Sequence, residues 1–493
     1  MMKHYVVKTL GCKANLYDSQ ILENELQKRG WKPALQGKGD GEGSVSDVEL
    51  CIINSCSVTD GADRQTRKLA QKLSKENPTA QVVVTGCGAE IDPETLAQSP
   101  GVHFVVGNQN KDQMIQLVLN QLEGKSDPKT YTDITSDILN PKFLGTVKTY
   151  KELQSKHPLD REWPALVDSF LTPPVHLEGH SDKTRSFLKI QEGCNAFCTY
   201  CIIPYGRGPA RSIRPRELLG QVRELVDQGV REVVLTGTNI GDYGVDWSST
   251  PALGDLIEMI LSETRLERLR VSSLDPTEVT PQIFDLMRKN PRFCPHFHIS
   301  LQSPSSKILR LMKRRYGYEE VKNCLETIAT LPAPQGGVFV GMDVITGFPG
   351  ESEEDFDWTY QALSELPWTR LHVFPYSERK GTPATRLPHS VPQSVRVQRT
   401  RKLNELSMKR LVAHYQGVLA ACQRTQSPLE GVLLEKAAPG WSWVPGYSPH
   451  YLRVLIDQKK LDASRNELVA VRPLELMIDS KGNDVALVSE CMS

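Results

Sequence analysis

Residues 186–201 read SFLKIQEGCNAFCTYC. An apolar run with strand character passes directly into three cysteines, Cys194, Cys198 and Cys201, within eight positions. Three thiolates at C-x3-C-x2-C spacing can wrap three corners of a cubane iron–sulfur cluster and leave its fourth iron without a protein ligand. That open iron can take a substrate's amino and carboxylate groups as well as carry electrons. A zinc site would ask for C-x2-C pairs with a second pair or histidines downstream, and neither is present. Three buried cysteines with no shared role is the bland alternative.

Working outward, the run opens six strand-then-helix repeats. The strands are SFLKIQ, REVVLTG, RLRVSS, HFHISLQ, VFVGMDVITG and RLHVFPY, with helical patterns at 214–229, 253–265, 280–290, 305–315, 318–331 and 353–366. Six βα units predict a partial (β/α)6 barrel whose chemistry sits at the C-terminal strand ends. Before them, HYVVKTL, ELCIIN, QVVVTG and HFVVG alternate with amphipathic stretches. This predicts a separate parallel sheet covered by helices. The loop GKGDGEGS (37–44) lacks a phosphate loop's GK[ST] ending and carries two acids, so it reads as solvated. Residues 391–422 read as a long helical connector, and the last stretch as short strands of a small β-barrel. The fold class is therefore α/β with a small all-β C-terminal domain. The expected domains are 1–123, a proline-rich linker or insertion at 124–184, 185–422 and 423–493.

Composition narrows the function classes. Lys+Arg and Asp+Glu both number 59, so a globally basic nucleic-acid coat is excluded. No run approaches the ~18 apolar residues of a membrane helix, and the N-terminus lacks a signal-peptide pattern. The expectation is a cytoplasmic monomer without membrane attachment. Eleven cysteines in such a chain suit metal ligands, thiols or core positions better than disulfides.

Three more cysteines form a second constellation. KTLGC (8–12), INSC (53–56) and VTGC (84–87) repeat one phrase, a strand ending just before a cysteine. In a parallel sheet those ends share one edge, so Cys12, Cys56 and Cys87 can meet there. Three small core hydrophobes are the alternative. Cys51 lies inside its strand and reads as core. Cys294, Cys324, Cys422 and Cys491 have no cysteine neighbours at ligand spacing.

With both constellations in view, the chain resembles the radical S-adenosylmethionine (SAM) methylthiotransferase family over nearly its whole length, C-terminal TRAM domain included. The carrying phrases are TLGCKANLYDSQ (9–20), INSCSVTDGADRQTRK (53–68), VTGCGAE (84–90), KIQEGCNAFCTYCIIPYGRGPARS (189–212), LTGTNIGDYG (235–244), HISLQSPSSKILRLMKRRY (298–316), DVITGFPGE (343–351) and HVFPYSERKGTPA (372–384). GCKAN (11–15) is most similar to the MtaB branch, which acts on N6-threonylcarbamoyladenosine 37 of tRNA. Isopentenyladenosine in tRNA and a ribosomal-protein aspartate are the substrates of the neighbouring branches. An iron–sulfur RNA-binding or electron-transfer protein would call for a fourth ligand per cluster, which neither set offers. Ala14, Pro304 and the length of 124–184 depart from the family pattern without touching a ligand cysteine.

The resemblance implies two [4Fe–4S] clusters. One, on Cys194, Cys198 and Cys201, binds SAM and cleaves it by one-electron reduction to a 5′-deoxyadenosyl radical. The other, on Cys12, Cys56 and Cys87, delivers methylated sulfur to C2 of the adenine. No catalytic side chain is expected beyond the cluster ligands. Tyr200 would lie beside the adenine of SAM. Gly237 and Thr238 resemble the segment that meets its amino group, although Gly237 could equally serve a turn needing φ > 0. Ser273 and Gln302 could meet ribose or carboxylate. An electron donor such as flavodoxin or ferredoxin is implied. For tRNA, residues 391–412 hold six cations against one acid. Arg396, Arg399, Arg401 and Lys402 are the candidate phosphate contacts, with a solvated helix face as the alternative. Trp441, Trp443, Tyr447 and Tyr451 offer stacking surfaces or aromatic core.

Overall fold

The computed structural model describes residues 3–34, 48–108, 114–122, 184–247, 252–333, 336–438, 440–461 and 463–492. The loop at 37–44 and nearly all of the expected linker at 124–184 lie outside them. Two compact units emerge. The first comprises Met1–Val175, Gln191–Ile213 and Ser377–Thr385, and the second His176–Ile190, Arg214–Tyr376 and Arg386–Ser493.

In the first unit, β1 (His4–Thr9), β2 (Lys32–Pro33), β3 (Val48–Ser55), β4 (Gln81–Gly86) and β5 (Phe104–Val105) form one sheet in the order β2-β1-β3-β4-β5. Every pairing is parallel. Strand β3 explains why its run is apolar throughout. Leu50 and Ile52 pack on one face with Tyr5, Leu26, Val83 and Met114. Cys51 and Ile53 pack on the other with Ala70, Leu73, Val82 and Val84. A strand covered on both faces shows no polar alternation. The covering helices α1 (Lys13–Lys28) and α2 (Asp60–Glu76) start immediately beyond β1 and β3. Thr59 caps α2 by accepting from the Ala62 amide. Short helices α3 (Cys87–Ile91) and α4 (Pro93–Gln98) follow β4, and α5 (Met114–Leu122) closes the set. The unit also takes in α6 (Ile203–Arg207) and β7 (Arg211–Ser212).

The second unit is built on parallel strands: β6 (Arg185–Glu192, whose last two residues belong to the first unit), β8 (Glu232–Gly237), β9 (Arg268–Val271), β10 (Ser273–Leu274), β11 (His296–Gln302), β12 (Phe339–Thr346) and β13 (Arg370–Pro375). They form the orders β7-β6-β8-β9 and β10-β11-β12-β13. Only Ser272 separates β9 from β10, so they act as one staver of the expected six-unit half-barrel. The helices between are α7 (Pro215–Asp227), α8 (Leu253–Glu263), α9 (Pro281–Lys289), α10 (Ser306–Leu311), α11 (Tyr318–Ala329) and α12 (Glu353–Glu365). A 33-residue helix, α13 (Gln393–Thr425), leads to a closed barrel of β14 (Leu429–Leu434), β15 (Trp443–Tyr447), β16 (Arg453–Asp457), β17 (Leu468–Ile478) and β18 (Val485–Cys491). Leu411, Tyr415, Val418 and Cys422 of α13 belong to that barrel's core.

Buried charge fastens the closed barrel to the N-terminal ends of β8 and β9. Glu232 pairs with Arg268 at 2.6 Å and Arg270 at 3.0 Å, all three nearly inaccessible. Arg268 also donates to the carbonyls of Gly431, Tyr447 and Ser448, and Arg270 to that of Pro449. Tyr451 stacks beneath Arg270 and against His296, while Arg185 lies 4.6 Å from the Tyr447 ring. Tyr447 and Tyr451, both half-buried, thus take the packing side of the two alternatives open to them, with contacts inside the unit. Trp441 is exposed.

Burial alone would raise the Glu232 carboxyl, but Arg268 and Arg270 reverse this and hold it at about 2. The resulting stabilisation, about 3 kcal/mol, is complete above the unfolded value of ~4.3 and lost as pH falls through about 2. Glu232→Gln should cost about 3–5 kcal/mol in urea unfolding at pH 7, because two buried guanidinium groups lose their counter-charge. Its stability should also fall less steeply than wild type below pH ~4. Equal midpoints at pH 7 would contradict the assignment.

Candidate metal-cluster centre

Strands β1, β3 and β4 end nearly level, with Thr9 opposite Asn54 and Ser55 opposite Gly86. Each is followed within three residues by a cysteine. Cys12 caps α1, Cys56 follows Ser55, and Cys87 opens α3. In the order β2-β1-β3-β4-β5, chain direction switches sides between β1 and β3, the place where open α/β sheets bind ligands. The turns are packed too closely for ordinary residues. A Cβ on Gly11, whose φ is +97°, would lie 2.7 Å from the Cys56 sulfur. One on Gly86, with φ +92°, would lie 2.4 Å from Asn54 Oδ1. Only glycine tolerates both the left-handed backbone and the approach.

Buried amides lock these turns together. Asn15 Nδ2 donates to the carbonyls of Leu10 and Ser55 at 2.8 and 2.9 Å. Asn54 Nδ2 donates to the Asn15 carbonyl at 2.8 Å and to Ser19 Oγ at 3.0 Å. Ser55 Oγ donates to the Thr85 carbonyl and accepts from the Ala89 amide. All three strand ends are therefore cross-bonded below the thiols.

Among the described residues, no group of three or more His, Cys, Asp and Glu is arranged to hold a single metal ion. A four-iron cluster spreads its thiolates more widely than one ion does, and the donors here are the thiols such a cluster takes. Asn54 Oδ1 and Ser57 Oγ, buried on either side of Cys56, have no hydrogen-bond partner, which fits a group bound at this edge. Burial, with Cys87 second, pushes the Cys56 thiol up to about 11, so ligation there must displace a proton.

The other cysteine loop belongs to the same unit. Gln191 and Glu192 pair antiparallel with Ser212 and Arg211, closing the loop at its base. The Cys194 amide donates to the Gly208 carbonyl, Asn195 Oδ1 accepts from the Ala210 amide, and the Ala384 amide donates to the Thr199 carbonyl. Phe197 takes a left-handed φ of 48° between Cys194 and Cys198, strain of the kind stored at functional loops. Cys198 is buried, whereas Cys194, Tyr200 and Cys201 are half-buried.

The barrel candidates lie in the second unit. Gly237 ends β8, followed by Thr238, Ser273 begins β10, and Gln302 ends β11 with φ 62°. Gly237 is not among the glycines with positive φ, so the turn explanation for it falls away. Inward alternation along β11 and its neighbours also brings His298 to 2.9 Å from Asp343, with the His372 ring stacked on it at 5.2 Å. The sequence reading passed over these, although alternate positions 298, 300 and 302 carry the period-two signal. It likewise gave no role to Asn15, Asp18, Glu192 and Arg207, which are buried together in the first unit.

The RNA candidates divide. Arg396 and Arg399 are buried: Arg396 donates to the carbonyls of Val391 and Tyr376, and Arg399 pairs with Glu351 at 3.0 Å and Glu353 at 2.8 Å. The expectation of phosphate contact fails for these two. They open the inward stripe of α13 that runs through Leu403, Ser407, Leu411, Tyr415, Val418 and Cys422; charge hid the stripe. Arg401, paired with Glu405 at 2.9 Å, and Lys402 face outward.

Residues 188–363 match the Radical SAM superfamily model, and 4–107 match the uncharacterized protein family UPF0004. A solved structure of the radical SAM methyltransferase TsrM from Kitasatospora setae, with cobalamin and a [4Fe–4S] cluster bound, shares the fold. Its TM-score is 0.53 at 13% identity, covering 78% of this chain and 74% of that one. The half-barrel and cysteine loop thus define a radical SAM protein. Relatives refine this: the threonylcarbamoyladenosine tRNA methylthiotransferase MtaB of Aquifex aeolicus is 35% identical over 83% of this chain and 89% of its own. The protein of the same name from Bacillus subtilis is 32% identical over 91% and 89%. The chain belongs to the MtaB threonylcarbamoyladenosine tRNA methylthiotransferase family.

The two kinds of cysteine can be told apart by replacement. Cys51, inaccessible in the sheet core, should give on Cys51→Ala about 1 kcal/mol of destabilisation from a small cavity and unchanged iron content after anaerobic reconstitution. Cys56→Ala should lower the iron content. Equal iron loss in both would mean that strand-end position does not distinguish ligand from core.

Proposed function

We propose that this chain attaches a methylthio group to C2 of the adenine in N6-threonylcarbamoyladenosine of tRNA. The observation that carries this is the match to MtaB enzymes across 83–91% of the chain, joined to two three-cysteine sets in one unit. An aromatic C–H offers no acidic proton, and SAM with two [4Fe–4S] clusters supplies the one-electron chemistry and transferable sulfur that side chains lack. Cys194, Cys198 and Cys201 would hold one cluster; Cys12, Cys56 and Cys87 would hold the other. Three ligands rather than four leave one iron in each open to exogenous atoms. Tyr200 would flank the adenine of SAM, and Gly237, Thr238, Ser273 and Gln302 would meet its polar groups. A low-potential protein donor of the flavodoxin or ferredoxin kind suits the reaction, as does a cytoplasmic monomer. Among the described residues no helix is long and apolar enough to cross a membrane. The closed C-terminal barrel is read as a TRAM domain.

The test is nucleoside mass spectrometry of tRNA from a strain lacking the gene. 2-Methylthio-N6-threonylcarbamoyladenosine should disappear and the unmethylthiolated nucleoside accumulate. Loss of the isopentenyl counterpart instead would move the substrate to the neighbouring branch. Reconstituted wild type should hold about eight irons and the Cys194→Ala/Cys198→Ala/Cys201→Ala variant about four, without SAM cleavage.

For tRNA, the outward cations Arg401 and Lys402 are the phosphate contacts that remain on α13. Replacing both with Gln should reduce the log–log salt slope of tRNA binding by up to about two units. Preference for the modified adenosine should survive, because phosphate contacts carry no base information. Parallel slopes for wild type and variant would make this a merely solvated face.

A further inference from the structure

Arg207 ends α6, six residues past Cys201, and its side chain is 1% exposed. One nitrogen, Nη1, donates to Glu192 Oε1 at 2.6 Å, two residues before Cys194. The other, Nη2, donates to Asn15 Oδ1 at 2.5 Å and to Asp18 Oδ2 at 3.1 Å. Asn15 and Asp18 lie on α1, within two turns of Cys12. A single guanidinium therefore joins the flanks of both cysteine sets. Neighbouring contacts repeat the connection: Asn108 Nδ2 donates to the Gly206 carbonyl at 2.8 Å and to the Cys87 sulfur at 3.7 Å. A Cβ on Gly206 would meet that of Cys87 at 3.7 Å.

Charge sharpens the point. Burial opposes the guanidinium charge, yet Cys87, Asp18, Glu192 and Cys12 hold it firmly protonated. One guanidinium against the carboxylates of Asp18 and Glu192 leaves no charge to spare, and at this burial each of the three acts on the nearby thiol edge with little solvent screening. A stability role alone would be met by an apolar plug of the same volume. An amide-ended contact to Asn15, which itself cross-bonds β1 and β3, instead aims the cation at the site.

We infer that Arg207 is a positioning residue shared by the two cysteine sites: its forked hydrogen bonds fix their flanks to one another, and its charge eases reduction of the group held by Cys12, Cys56 and Cys87. The inference rests on reading the six cysteines as two cluster sites.

The experiment uses the full chain reconstituted with ferrous iron and sulfide, in a Cys194→Ala/Cys198→Ala/Cys201→Ala background that isolates the other cluster. The reduction potential is followed by electron paramagnetic resonance. Arg207→Met should shift it downward, because a fixed positive charge that favours the added electron is gone, and Arg207→Lys should restore it in large part. Asp18→Asn, nearly isosteric and therefore safer for folding, should shift it upward by removing a negative charge. Opposite shifts are an electrostatic signature that a packing role would not produce. In the background with all six cysteines, Arg207→Met should raise the ratio of 5′-deoxyadenosine to methylthio product several-fold. Potentials indifferent to both Arg207→Met and Asp18→Asn would overturn this inference while leaving the cluster reading intact. Wild type that holds only one cluster would overturn both.

Discussion

Three parallel strands that stop level with one another are the constraint on which the first unit depends. Because β1, β3 and β4 end at Thr9, Ser55 and Gly86, the next residues of three remote segments emerge on one edge. Parallel pairing makes this automatic once register is set. Because β3 is covered on both faces and a slip would not expose it, the side-chain hydrogen bonds across the strand ends mark the register. The cost is three tight turns whose backbone polar groups are out of reach of water. Asn15, Asn54 and Ser55 satisfy those groups across strands, and Gly11 and Gly86 leave room for it. Chemistry-bearing thiols and the devices that permit them are thus interleaved in sequence.

The second unit solves a different problem. A half-barrel of six parallel strands leaves its N-terminal end to be covered, and here the closed β-barrel is fastened there by arginine side chains that find carbonyl oxygens. Glu232 neutralises part of that charge at full burial. Fixing one end with hydrogen-bonded charge leaves the opposite strand ends, where Gly237, Ser273 and Gln302 lie, available for ligand contacts. The left-handed backbone at Gln302 belongs to that freer end.

Much of this was legible in the residues. The six βα repeats, the α/β sheet before them, the small barrel after them and the core position of Cys51 all follow from period and from where each cysteine sits relative to its strand. Arg396 and Arg399 were misread for an instructive reason. Read as charges they belong to a basic face, but read at helical spacing they head a buried stripe, and two acids at Glu351 and Glu353 decide between the readings. Those acids lie more than forty residues away, beyond any local pattern.

The same distinction separates what the linear chain determined from what tertiary structure decided. Local spacing sets the C-x3-C-x2-C motif, because three cysteines within eight residues stay close to one another without help from distant contacts. Periodicity sets the strands and their ends, because burial of one or both faces is a local demand. Which polar residues meet at a distance is another matter. Arg207 with Asn15 and Asp18, Tyr451 with Arg270, and His298 with Asp343 are pairings between segments that only packing brings together. A buried charge must find its partner wherever the fold supplies one, and no spacing rule along the chain records where that is.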